Sequence, residues 1–143
     1  MALAGDLKQA FLLVRILLED RDALRFHWIE DKETSNVEVL RLTCALFGLV
    51  QSPVLLGGTL HQHLEGMKER YPAAVEEVKK SLYVDDVVTG GETTERVRKL
   101  KESAVAVFVE AQFELHKWHS NEPVIEARAE QEDGKQSYAK EQL

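Results

Sequence analysis

The run Ser81-Leu82-Tyr83-Val84-Asp85-Asp86-Val87-Val88-Thr89-Gly90-Gly91 sets two adjacent carboxylates between β-branched and aromatic residues and closes on a glycine pair. Val and Tyr favour extended backbone, aspartate tolerates a turn and glycine punctuates, so the run predicts a tight β-hairpin. Two carboxylates held side by side in a mostly apolar neighbourhood repel each other unless a cation sits between them. Hard oxygen ligands of this kind select Mg²⁺ or Mn²⁺. The run is therefore a candidate divalent-metal site, although by itself it fits a surface β-turn that happens to hold two aspartates equally well.

Upstream, Asp6-Leu7-Lys8-Gln9 has the form of a helix start. Asp6 would be the N-cap accepting from the amide of Gln9, with Gln9 reaching back. Residues 12–18 show no clean period and suggest a short helical turn continuing as buried extended chain. Ala23–Ile29 and Val37–Thr43 partly alternate and flank a charged loop, Glu30 to Asn36, so they are expected to pair as an antiparallel hairpin. Val37, Val39 and Arg41 would lie on one side of it, Glu38, Leu40 and Leu42 on the other.

The glycine-broken turn Phe47-Gly48-Leu49 precedes Ser52-Pro53, which reads as an N-cap serine and a proline at the first helical position. The helix that follows carries Leu56, Leu60, His63, Leu64 and Met67 on one face. Gly57 and Gly58 inside it weaken it by roughly 1 kcal/mol each relative to Ala, which suggests a close backbone approach there. Tyr71-Pro72 breaks it and opens a second helix, Ala73 to Lys80, with Val75 and Val78 inward. After the hairpin, Thr93 or Thr94 caps a long helix with Val97, Leu100, Ala104, Val107, Phe108 and Ala111 at helical spacing. Phe113 to His119 alternates as a final strand. Residues 121–143 are polar and expected to be disordered or a loose helix.

The length of 143 residues suits one domain with its own core, here 1–120, followed by the tail 121–143. Cys44 is the single cysteine, excludes an intramolecular disulfide and reads as a small buried hydrophobe, consistent with a reducing interior. The most apolar run, Phe11 to Leu18, is interrupted by Arg15, is too short to cross a bilayer and lacks the features of a signal peptide. An intracellular, cytoplasmic protein without a membrane partner is expected. The net charge of −7 argues against a stand-alone nucleic-acid binder, since phosphate contacts need Lys and Arg. His61 and His63, two apart, fall on different helix faces. His116 and His119 have no cysteine or carboxylate framework of the usual ligand spacing around them, so a zinc site is not expected.

Taken together and in order, Asp6, the Phe-Gly-Leu-x-x-Ser-Pro turn from Phe47 to Pro53, and Tyr83-Val84-Asp85-Asp86 resemble three motifs of retroelement reverse transcriptases. The stretches Glu19 to Trp28 and Phe113 to Asn121, the latter ending Lys117-Trp118-His119-Ser120-Asn121, are similar to the BEL/Pao group of long-terminal-repeat retrotransposons. The resemblance covers about residues 3–122 and implies an α+β polymerase palm, an antiparallel sheet backed by helices, with Asp6 near a strand end.

It also implies template-directed transfer of deoxynucleotides to a primer 3′-hydroxyl by a two-metal mechanism with two Mg²⁺ or Mn²⁺ ions. Asp6 and Asp85 would be the main metal ligands, Asp86 the adjoining one, and the carbonyl of Leu7 a further ligand. Phe11, five residues after Asp6, would lie beneath the sugar and exclude a ribose 2′-hydroxyl; read without its neighbours it is a core phenylalanine. Phe47, Gly48 and Leu49 would pack on base and sugar, and Tyr83 and Val84 would lie near the primer end. Lys117 falls near a lysine that serves as general acid for pyrophosphate, or is a solvated strand-end lysine.

The basic fingers strands that precede the first aspartate in the family have no counterpart here, and no thumb, ribonuclease H, protease or integrase pattern follows residue 122. The partners implied are an RNA or DNA template with primer, and deoxynucleoside triphosphates, once the palm is joined to fingers and thumb, together with other segments of a parent polyprotein. The alternative is a catalytically incompetent remnant acting at most as an interaction domain. A metal-dependent phosphohydrolase using the same carboxylates is a third reading.

Overall fold

Leu3, Gly5 and Leu7 alternate with Ala2, Ala4 and Asp6, and this period of two makes Ala2–Leu7 a strand, β1, with its leucines buried on one face. The structure is a computed structural model that describes residues 1–29, 36–123 and 125. Asp6 therefore lies in extended chain, which corrects the helix-cap reading. The helix that follows, α1 (Ala10–Leu13), is a single turn entered through Gln9 in a left-handed conformation, with no side-chain cap.

Among the described residues β1 is central in a four-stranded antiparallel sheet of order β4-β5-β1-β6, built with Leu82–Tyr83 (β4), Asp86–Gly90 (β5) and Leu115–Ser120 (β6). Helices α2 (Ser52–Met67), α3 (Pro72–Ser81) and α4 (Thr94–Val109) back one face of it. Leu56, Leu60 and Leu64 of α2, Val75 and Val78 of α3, and Val97, Ala104, Val107 and Phe108 of α4 are all buried, as their helical spacing predicts. They form one core with Leu3, Leu7, Val87 and Leu115 from the sheet. Each such Leu, Val or Phe removed from water stabilises the fold by about 1.5–3 kcal/mol, so this single face holds the sheet flat against its helices. The mixed helix-and-sheet class is as expected. The opposite face, bearing Ala2, Ala4, Asp6, Asp86 and Val88, has no helix over it among the described residues.

A second, two-stranded sheet pairs Arg25–Ile29 (β2) with Val37–Arg41 (β3) in antiparallel register, Phe26 opposite Leu40 and His27 opposite Val39. A 3₁₀ turn at Arg21–Leu24 leads into it. Asp22 in that turn takes a bidentate contact from Arg25 and a third from Arg41 at 2.8 Å, and these two guanidinium groups hold its carboxyl below the usual range. Every residue of both strands is exposed, including Trp28 and Ile29.

Several local expectations are corrected. Leu17 and Leu18 are exposed, not buried, because the chain is already leaving the core after the bridge between Arg15 and Cys44. Helix α2 begins one residue early: Gln51 is its N-cap, no side chain caps it, and Ser52 is buried in the first turn. Gly57 and Gly58 meet open space where a Cβ would stand, so no backbone approaches them. The long helix is capped by Thr93, whose hydroxyl accepts from the amide of Arg96 at 3.3 Å. Residues 30–35 of the charged loop, and nearly all of the tail from residue 124 on, lie outside the described residues. Among the described residues no helix is long and apolar enough to cross a membrane.

Candidate functional site

Asp6 and Asp86 are direct cross-strand partners in the β1–β5 ladder. Opposed residues on one face have Cβ atoms about 4.5–5.5 Å apart, and like charges there are destabilising. The hairpin that delivers Asp86 is as tight as its sequence suggests: Tyr83 pairs with Asp86, leaving Val84 and Asp85 as a two-residue loop. The amide of Leu7 donates to the carbonyl of Asp85 at 2.7 Å, which fixes the loop to the end of β1. Burial pushes the Asp85 carboxyl up, and the charges of Asp86 and Asp6 push the same way against a lowering backbone hydrogen bond. The two aspartate segments thus act on each other electrostatically.

Of the two loop residues it is Val84, not Asp85, that supplies the positive φ, at +57°, and Gly90-Gly91 plays no part in it. Two-residue hairpin loops of this kind put glycine at the first central position, because a side chain branched at Cβ clashes in the left-handed region. Strain of this sort costs of the order of 1–3 kcal/mol and clusters at functional sites.

On the other side of β1 the ladder to β6 is irregular. Ala4 pairs with His119 and Asp6 with His116, so one residue of β1, Gly5, faces two of β6, Lys117 and Trp118. This is a β-bulge, and Lys117 takes it up with φ at +48°. The simple alternation expected for residues 113–119 fails here. Leu115 and Trp118 are both buried though three apart, and His116 and Lys117 between them both turn toward Asp6. His116 Nε2 lies 2.9 Å from Asp6 Oδ2, and Lys117 Nζ lies 3.8 Å from the same oxygen.

Phe11 is buried in the core, with its ring centroid 4.7 Å from that of Phe47 at an interplanar angle of 57°. Phe47 itself is 67% exposed and caps Phe11 from the solvent side. The aromatic and turn residues singled out from sequence therefore do meet, but the exposed ring is Phe47, not Phe11. Gly48 beside it has φ at +86°, and Leu49 is exposed. Tyr83 is 74% exposed at the hairpin, whereas Val84 packs against the core margin. Leu7 has its side chain in the core, which leaves its backbone at the loop.

The donor chemistry of Asp6, Asp85 and Asp86, all carboxylate oxygen, suits a hard divalent cation. Among the described residues no three His, Cys, Asp or Glu side chains already converge on one point. The residue missed from sequence is His116. Its neighbours in the sequence offer no ligand framework, yet a carboxylate 110 positions away is its partner. Residue spacing carries no signal for that contact, because it depends on β6 pairing with β1 in this register. No protein-family model matches the chain, and no curated protein matches it.

Proposed function

We propose that this chain is the catalytic palm of a retrotransposon reverse transcriptase of the BEL/Pao type, an RNA-directed DNA polymerase that works when joined to fingers and thumb. One observation carries the reading: Asp6 on the central strand stands in direct register with Asp86 at the Tyr83–Asp86 hairpin. Carboxylates from two parts of the sequence, Asp6 and the adjacent pair Asp85-Asp86, are thereby brought to the same end of the sheet.

Asp6 and Asp85, adjoined by Asp86 and the carbonyl of Leu7, would hold two divalent ions. When bound, these lower the pKa of a primer 3′-hydroxyl and neutralise a triphosphate and its leaving pyrophosphate. The remaining work falls to side chains. Phe47 and Tyr83 offer exposed aromatic surface on which a base or sugar can rest, and Phe11 supports Phe47 from below. Lys117 brings a solvated ammonium beside the carboxylates.

The test is primer extension on an RNA template with Mg²⁺ or Mn²⁺, using the chain alone and the chain joined to supplied fingers and thumb. Extension by the joined form, abolished by Asp85→Asn, is expected. No extension by that form, or extension that Asp85→Asn leaves intact, would sink the reading. A second reading, an incompetent remnant acting as an interaction domain, is favoured by the exposed apolar residues of β2 and β3, among them Phe26, Trp28, Ile29 and Val39. The same assay separates the two.

A further inference from the structure

We infer that His116 is the positioning residue of the carboxylate site: it donates from Nε2 to Asp6 Oδ2 and so turns Oδ1 toward the hairpin to receive a divalent cation. The inference rests on the metal-centre reading above and adds to it a residue outside the three carboxylates.

Two contacts of the Asp6 carboxylate, from His116 and Lys117, fall on the same oxygen, Oδ2. Of the two, His116 governs orientation. It approaches to 2.9 Å, within hydrogen-bond range, while Lys117 stays at 3.8 Å. The His116 side chain is 17% exposed and Lys117 is 68% exposed. A long, solvated lysine loses rotamer freedom to hold one geometry, and exposed ion pairs are worth little for that reason. A half-buried imidazole on a strand is already fixed by its backbone.

Asp6 as a carboxylate only accepts, so Nε2 must carry the proton and donate. Histidine and carboxylate partnered in this way fix each other's rotation, and groups that orient a metal ligand typically matter 10- to 100-fold in metal affinity. The fold provides for the contact: opposite Leu7 the ladder is regular, so buried Leu115 leaves its neighbour His116 directly across from Asp6 on the open face, and the bulge opposite Gly5 then adds Lys117 to that side while Trp118 stays buried.

The experiment measures Mn²⁺ binding to the full chain by electron paramagnetic resonance for the wild type, His116→Leu, His116→Gln and Asp85→Asn, with circular dichroism to confirm that each is folded. Leucine keeps the bulk of the ring without a donor, and glutamine offers an amide N–H near the position of Nε2. Expected is a loss of about tenfold or more for His116→Leu, substantial recovery in His116→Gln, and no binding in Asp85→Asn.

Independently of any metal, the wild type should show a slowly exchanging, downfield His116 Nε2–H resonance that disappears in Asp6→Ala. Absence of that resonance overturns the inference. So does Mn²⁺ affinity unchanged in His116→Leu, or glutamine binding as weakly as leucine, and either result leaves the carboxylate site standing. A wild-type chain that binds no Mn²⁺ overturns the metal-centre reading and this inference with it.

Discussion

The indole of Trp118 lies flat against the backbone of Gly5: a Cβ added to Gly5 would stand 2.7 Å from both Cε3 and Cζ3 of the ring. Gly5 is the residue opposite the β6 bulge and the immediate neighbour of Asp6, so this contact sets the height of the strand that carries the first aspartate. Lys101 holds the ring from elsewhere, its Nζ 5.1 Å from the ring centroid, which limits how far the indole can retreat. Gly5→Ala should destabilise the fold by about 1–3 kcal/mol, the usual cost of overpacking, with a shift in tryptophan fluorescence. Urea unfolding measures it, and a change under about 0.5 kcal/mol would show that the indole moves freely.

Asp85 gives a pH signature. Its acid is harder to ionise in the fold than its ordinary value of 3.8, because burial and the neighbouring Asp86 and Asp6 disfavour the charge. A raised carboxyl contributes stability that is full below the unfolded value and lost as pH rises through the folded one. At neutral pH the ionised Asp85 is therefore a burden, and Asp85→Asn should melt at a higher temperature than the wild type. The gap should close as pH falls below 3.8. A variant that melts lower at pH 7 would contradict the assigned repulsion.

Val84 is a second test of strain at the hairpin. Its left-handed backbone costs roughly 1–2 kcal/mol, which Val84→Gly would relieve. Loss of the partly buried side chain and the added freedom of glycine offset that gain by about the same amount. The expected net change in stability is near zero. Val87→Ala, three residues on and fully buried, should cost about 2–3 kcal/mol. Equal losses at the two positions, read by chemical denaturation, would mean that Val84 is not strained.

At the start of α4, the hydroxyl of Thr93 satisfies the amide of Arg96. Thr93→Ala should cost about 1 kcal/mol and Thr93→Ser much less, since only the oxygen matters to the cap. Thermal melts of the pair decide it: alanine and serine behaving alike would remove Thr93 from the cap.

What could be read from the sequence was local and periodic. The faces of α2, α3 and α4 follow from leucines, valines and alanines three and four apart. The hairpin at Tyr83–Asp86 follows from β-branched residues around a short polar pair, and the Thr93 cap from its place before a helical run. The local residues alone misplace Asp6, because Asp-x-x-Gln fits a helix cap when the strands on either side of it are unknown, whereas the ordered motifs put it near a strand end, where it lies. They also mislead at Gly57 and Gly58, whose freedom meets no neighbour.

The tertiary structure alone decided which strands flank β1, and with that the opposition of Asp6 to Asp86 and the contact of His116 with Asp6. The physical reason is register. A strand's period of two assigns faces only until a bulge shifts it, and the bulge at Lys117 arises from the fit of Trp118 over Gly5, a contact between residues 113 positions apart. The sequence by itself determined that two aspartates would sit in a hairpin at positions 85 and 86. Packing across the sheet decided that Asp6 stands in register with Asp86 and which histidine contacts it.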